Sequence, residues 1–453
     1  MSDDGIAEAT ASSADLSTGQ LTGRYQRIRG FTERLCEPLA TEDYVVQTMP
    51  DVSPTKWHLA HVTWFFETFI LRPHATGYEP LNPAYAYLFN SYYLQAGERH
   101  CRDQRGYISR PTVEEVYEYR AYVDEHVLAL LADATEAQAE VIAPLVEIGL
   151  QHEQQHQELL LTDIKHVLSV NPLRPVYRDR TSPGLVEAPE LQWIHFDEGL
   201  NWVGRALEGE GFCYDNETPR HRHFLDEFLF ASRLVTNGEY LAFLEDGGYE
   251  RGELWLSEGW ATVRERSWTE PFYWEKRDGR WWAFTLSGMR EVEEQAPVCH
   301  LSYFEADAYA RWAGARLPTE AEWEVAAATV PIRGNFVEEE WFHPVVVGLE
   351  PPPSIGGGDN GSRPSASPGE GSLLQMYGDV WEWTRSQYSP YPGYEPLPGA
   401  LGEYNGKFMS NQFVLRGGSC ATSVTHIRST YRNFFPADAT WQFMGVRLAR
   451  DVK

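Results

Sequence analysis

The period of the hydrophobic pattern changes once along this chain, at Asn171-Pro-Leu-Arg-Pro175, and that change constrains the fold more than any other feature. Before it, residues 22–39, 55–71, 112–131 and 136–170 carry apolar side chains three and four apart, the spacing of one helix face. Pro111 followed by Thr112 and Glu115 reads as a helix start with a capping box. Pro144 falls in the opening turns of the longest helix or divides it. Residues 73–110 are irregular and rich in Tyr, Arg and Asn. Four helices with one long connection predict a bundle, whose cofactor sites form between facing helices. After the change, Gly and Pro become frequent, and β-like runs stand at 192–196, 224–231 and 413–415. Two helices are expected there, 303–314 and 319–328, and 356–371 reads as a Gly/Ser/Pro loop. The expected organisation is a disordered tail over 1–20, a metal-holding helical bundle over 21–175, and an α+β domain over 176–453.

Charge narrows the function. Lys and Arg total 38 against 66 Asp and Glu, a formal net charge of -28. A field of that sign repels nucleic acid and anionic membranes, and no protein partner is indicated. No apolar run approaches the roughly 20 residues that span a bilayer. The acidic, Ser- and Ala-rich start lacks the features of a signal peptide, so a cytoplasmic protein is expected. Cys36, Cys101, Cys213, Cys299 and Cys420 stand singly, which argues against a zinc ribbon or a disulfide framework. Core packing accounts for most of the 16 Trp residues, and aromatic pocket walls for some.

The strongest local signal is Leu150-Gln-His152-Glu-Gln-Gln-His156. Histidines four apart on a helix share a face and can reach one ion. Formally this is H-E-x-x-H, the zinc-protease pattern with its Glu as general base. Against that reading, no secretory context and no downstream third ligand accompany it. A third histidine lies upstream instead, in Ser53-Pro-Thr-Lys-Trp57-His58-Leu-Ala-His61-Val-Thr-Trp64. Ser53 and Pro54 start that helix, and His61, one turn from Trp57 and Trp64, faces inward. His61, His152 and His156 are the expected metal ligands. Three neutral imidazoles leave zinc one open position and six-coordinate iron(II) three, and sequence alone does not separate these metals by affinity.

These residues carry a resemblance. The first half resembles DinB-like bundles, and Ser53 to His61 with His152-Glu-Gln-Gln-His156 is similar to the iron site of the ergothioneine-type sulfoxide synthases (hercynine oxygenases). The second half resembles formylglycine-generating enzymes, a C-type-lectin-like fold. The matching stretches are Thr236-Asn-Gly-Glu-Tyr240, Pro297 to Ser302, Ala315-Arg-Leu-Pro-Thr-Glu-Ala-Glu-Trp-Glu324, Gly378-Asp-Val-Trp-Glu-Trp383, Leu415-Arg-Gly-Gly-Ser419 and Gly445-Val-Arg447. The resemblance implies an iron(II)- and dioxygen-dependent enzyme. It joins a thiol, cysteine or γ-glutamylcysteine, to carbon 2 of the imidazole of hercynine and leaves a sulfoxide. It further implies that Gln155 binds the substrate imidazole, and that Asn433, Phe434 and Phe435 help enclose the trimethylammonium end, where aromatic faces suit a cation with no hydrogen to donate. Tyr92 or Tyr93 would donate a proton, with Tyr388 and Tyr391 as competitors, and Arg102 and Arg105 would hold the thiol's carboxylate. A relative using selenium, or histidine in place of hercynine, stands as an alternative on the same scaffold. A lectin-like binding protein with a structural metal is a third reading, but no fourth ligand is evident to close such a site.

Overall fold

A computed structural model describes residues 18–180, 186–209, 211–348 and 372–452. Most of the expected tail and the expected loop at 356–371 lie outside the described residues. The chain forms two compact units. The first contains the described residues up to Leu173 together with Arg205–Arg220 and Pro390–Phe408. The second contains Arg174–Gly204, His221–Ser389 and the residues from Met409 onward.

The four longest helices among the described residues make the first unit: α1 (Thr18–Cys36), α2 (Thr55–Phe66), α3 (Val113–Asp133) and α4 (Glu136–Val170). Thr112 and Thr135 cap α3 and α4, each through a capping box closed by Glu115 or Gln138. Pro144 lies inside α4, which runs unbroken past it. The segment 67–71, expected as a plain continuation of α2, is instead a π-helical turn. Every residue of α2 is buried, so its polar groups need internal partners. Lys56 shows how they find them: its ammonium donates to the carbonyls of Ile108 at 2.7 Å and Pro111 at 2.8 Å. Gly149 lets α4 meet α2 closely, since a Cβ there would stand 2.6 Å from the Phe66 ring.

A buried ion cluster ties the four helices together. Glu153 of α4, fully buried, takes Arg120 of α3 at 2.6 Å and Arg29 of α1 at 3.0 Å, with the Thr32 hydroxyl at 2.7 Å. Arg29 also donates to Asp124 of α3 and to the Thr63 hydroxyl of α2. Burial alone would push the Glu153 carboxyl up, but Arg120 and Arg29 outweigh it and hold it down at about 2.

The second unit is built from short sheets. Trp193–Phe196, Phe228–Ala231 and Ala449–Asp451 pair antiparallel. Asn433–Phe435, Phe413–Arg416 and Trp381–Gln387 do likewise, and Met444–Gly445 joins the last in parallel. The β-like run 224–231 is two strands, broken between Leu225 and Phe228. Tyr303–Trp312 and Glu320–Ala327 are helical as expected, but Asn237–Glu245 and Ser257–Arg266 are also helices. The first of these hides in Thr236-Asn-Gly-Glu, where Thr236 and Glu239 form a capping box that outweighs the low helix propensity of Asn and Gly. The quoted sequence stretches meet in the interior: Glu382 takes Arg447 at 2.8 Å and the Trp323 indole at 2.8 Å, while Arg416 donates to Glu324 at 2.5 Å. No helix among the described residues is long and apolar enough to cross a membrane.

Removing Glu153 takes from two buried guanidiniums the anion they share and leaves Arg29 only Asp124 and Arg120 only Glu33. Glu153→Ala should lower unfolding free energy in urea by about 3–5 kcal/mol. Because the folded carboxyl titrates at about 2, its stabilisation is complete above the ordinary carboxylate range and fades as pH falls through that range toward 2. The gap between the parent and Glu153→Gln should therefore narrow from pH 5 to pH 3.

Candidate metal centre

Two helices supply the site. On α2, His58 and His61 lie three apart; on α4, His152 and His156 lie four apart, so each pair shares a face. Ligand atoms of His61, His152 and His156 all fall within 4.8 Å of one another. The Nε2 atoms of His61 and His152 are 3.2 Å apart. Two nitrogens about 2.1 Å from one ion would be separated by a comparable distance.

The outer nitrogens show which atoms face inward. Nδ1 of His61 donates to the Phe89 carbonyl at 2.6 Å, which leaves its Nε2 as a lone pair. Trp57 and Trp64 stack on either side of the His61 ring, at 4.5 Å and 5.5 Å between centroids, and lock its plane. Nδ1 of His156 lies 2.8 Å from Nδ1 of His58. Burial holds His61 and His156 well below the usual imidazole range, and holds His152 at about 3. Neutral imidazoles converging on one point repel through their lone pairs unless a cation lies between them, so the donor set fits a divalent metal. Among the described residues the cluster holds three ligands and no carboxylate, which leaves coordination positions open.

Glu153, the general base of the protease reading, is committed to Arg29 and Arg120. It is therefore a structural anion, and the zinc-protease chemistry has no base at that position.

A cavity of about 600 Å³ adjoins the cluster, lined by His152, Gln155, Phe65 and Tyr93 of the bundle. Its far wall comes from Phe212 to Asp215 and from the 393–405 stretch, including Leu397, Tyr404 and Asn405. Asp215 holds the two wall segments together, accepting from Asn405 at 2.6 Å and from Tyr394 at 3.2 Å. Burial pushes its carboxyl up.

The remaining expected site residues are spread out. Tyr93 is buried, packs on Trp64 and Phe69, and lines the cavity; burial pushes its phenol up, so it keeps its proton. Tyr92 is not among the lining residues: its hydroxyl accepts from Arg102 at 2.9 Å, and its ring packs on Phe408. Arg105 lies over Trp57 at 3.3 Å, donates to the hydroxyls of Ser53 and Ser91, and is lowered to about 9 by burial. Neither Arg102 nor Arg105 lines the cavity. Asn433, Phe434 and Phe435 form a strand of the second unit, with Phe434 stacked on Tyr388 at 4.1 Å and Phe435 against Trp441. Reading the sequence missed Asp163, whose Oδ2 lies 3.0 Å from Nε2 of His58. The signal was present: eleven residues is close to three helical turns, which puts Asp163 on the face of His152 and His156. Nothing local marks residues 205–220 or 390–408 as cavity wall.

Residues 24–160 match the DinB superfamily, and residues 193–452 match the Sulfatase-modifying factor enzyme 1-like domain. The chain is 31% identical to a hercynine oxygenase of Mycobacterium tuberculosis, over 96% of this chain and 100% of that one. It is 33% identical to a hercynine oxygenase of Mycolicibacterium thermoresistibile, over 89% and 88%. It is 28% identical to the ergothioneine biosynthesis protein 1 of Schizosaccharomyces pombe, over 53% of this chain and 28% of that one.

If the three histidines are the ligands, His61→Ala or His152→Ala should abolish binding of a divalent metal in calorimetric titration of the metal-free protein. Glu153→Gln should retain it, at reduced thermal stability. Loss of binding in the Gln variant while it remains folded would return Glu153 to the site.

Proposed function

Since this chain belongs to the hercynine oxygenase family, we propose that it is an iron(II)-dependent sulfoxide synthase joining a thiol to the imidazole of hercynine. The observation that carries this reading is the three-histidine cluster with open positions beside a cavity. Iron(II), preferring six ligands, has room there for three incoming groups, where four-coordinate zinc has room for one. When bound, iron supplies dioxygen activation and a template that holds the reactants together. The overall reaction balances without an external reductant. One C–H and one S–H bond are lost, one C–S and one S–O bond form, and the second oxygen leaves as water.

The protein's own share is to bind, orient and hold protons. Gln155, one residue before His156 and lining the cavity, suits a hydrogen bond to the substrate imidazole. Tyr93 suits proton donation, because its buried phenol stays protonated and lines the same cavity.

The decisive experiment loads anaerobically purified protein with iron(II), adds hercynine and either cysteine or γ-glutamylcysteine, and then admits air. A sulfoxide conjugate seen by mass spectrometry is the expected result; reaction with neither thiol overturns the reading. Tyr93→Phe should lower turnover by about 10²-fold or more while leaving metal affinity unchanged, and Tyr92→Phe should have the smaller effect. The reverse order would move the proton donor to Tyr92.

A further inference from the structure

The ligand histidines differ in what holds their outer nitrogens. His61 faces a carbonyl, which can only accept, so its tautomer is fixed. His156 faces another histidine, His58, which in turn faces Asp163. Oδ2 of Asp163 also accepts the backbone N–H of Ser53 at 2.8 Å, and Ser53, His58 and Asp163 are all buried.

Such a chain admits two proton polarities. In the first, His58 donates from Nε2 to Asp163 and presents a lone pair at Nδ1. His156 donates its Nδ1 proton to that lone pair and keeps Nε2 bare for a metal. In the second, every proton runs the other way. His58 would then turn a lone pair toward a carboxylate oxygen that has no proton to give, and Nε2 of His156 would carry a proton that shuts out the metal. The carboxylate, fixed as an acceptor by Ser53, selects the first polarity.

We infer that His58 and Asp163 are positioning residues for the metal centre: Asp163 sets the tautomer of His58, and His58 sets that of His156. The inference rests on the three-histidine reading of the site. The α2 sequence thus contributes twice, once through the ligand His61 and once, three residues earlier, through the partner of a ligand on α4. Loss of such an outer partner costs about 10- to 100-fold in metal affinity.

The test is anaerobic titration of the metal-free full-length protein with iron(II), and with cobalt(II), whose visible absorption reports ligand number. His58→Leu removes the acceptor and should weaken binding by about 10- to 100-fold. His58→Asn keeps an acceptor near the position of Nδ1 and should recover a large part of that loss. Asp163→Ala removes the acceptor that faces Nε2 of His58 and should weaken binding in the same direction with His58 still present. The melting temperature of each metal-free variant separates folding from metal affinity. Unchanged affinity in His58→Leu overturns the inference, as does equal loss in His58→Leu and His58→Asn, which is the signature of packing alone. Absence of metal binding by the unaltered chain overturns the three-histidine reading, and this inference with it. Binding by the unaltered chain but not by His61→Ala leaves that reading standing whatever His58 and Asp163 do.

Discussion

The histidine cluster depends on a buried charge that takes no part in it. Glu153 gathers Arg29 from α1 and Arg120 from α3 into the centre of the bundle, and Arg29 reaches Thr63 on α2. That single cluster fixes the rotation of α4 about its own axis. Successive residues of a helix are turned by about 100°, so pinning Glu153 toward α1 and α3 turns His152 and His156 toward α2. A buried ion cluster is weak evidence for stability, since desolvation consumes much of the attraction. Its contribution here is one of register: rotating α4 to another face would bury Glu153 without its partners.

Once α4 is pinned, burial prepares the histidines. A desolvated imidazole resists protonation, so His61, His152 and His156 present lone pairs across the range in which an exposed histidine would be titrating. The aromatic stack adds rigidity. His61 is held between two indoles, and the outer face of Trp57 is covered by the Arg105 guanidinium. Burying that cation is costly, and the indole face with the hydroxyls of Ser53 and Ser91 offsets part of the cost. Ser53, at the start of α2, therefore also anchors the outer layers of the site, through its backbone N–H to Asp163 and its hydroxyl to Arg105.

How much of this was legible follows from the range of the interactions. The four bundle helices were legible because amphipathic spacing and capping boxes are local, and α4 matches its expected bounds of 136–170. The convergence of the three histidines was legible because His152 and His156 sit one turn apart and His61 repeats the inward pattern of Trp57 and Trp64. Two short helices, Asn237–Glu245 and Ser257–Arg266, were not, since each is brief and opens with residues that favour turns. The cavity wall was not legible either. Residues 205–220 and 390–408 lack regular periodicity and are joined through Asp215 and Asn405, a contact 190 residues apart in sequence.

The H-E-x-x-H pattern shows why spacing fixes geometry before it fixes chemistry. Its two histidines must share a face on any helix, so the ability to reach one ion is a geometric consequence. The glutamate one residue after the first histidine points about 100° away, and what it does depends on what packs there. With a water-filled cleft on that side it could act as a base. Here two arginines and a threonine occupy that side, so the carboxylate stays ionised and buried, and the helix face that opens on the cavity carries Gln155 instead. A neutral amide beside three neutral imidazoles adds no charge to the site, and it can hold a neutral heterocycle in place, as joining two bound substrates requires.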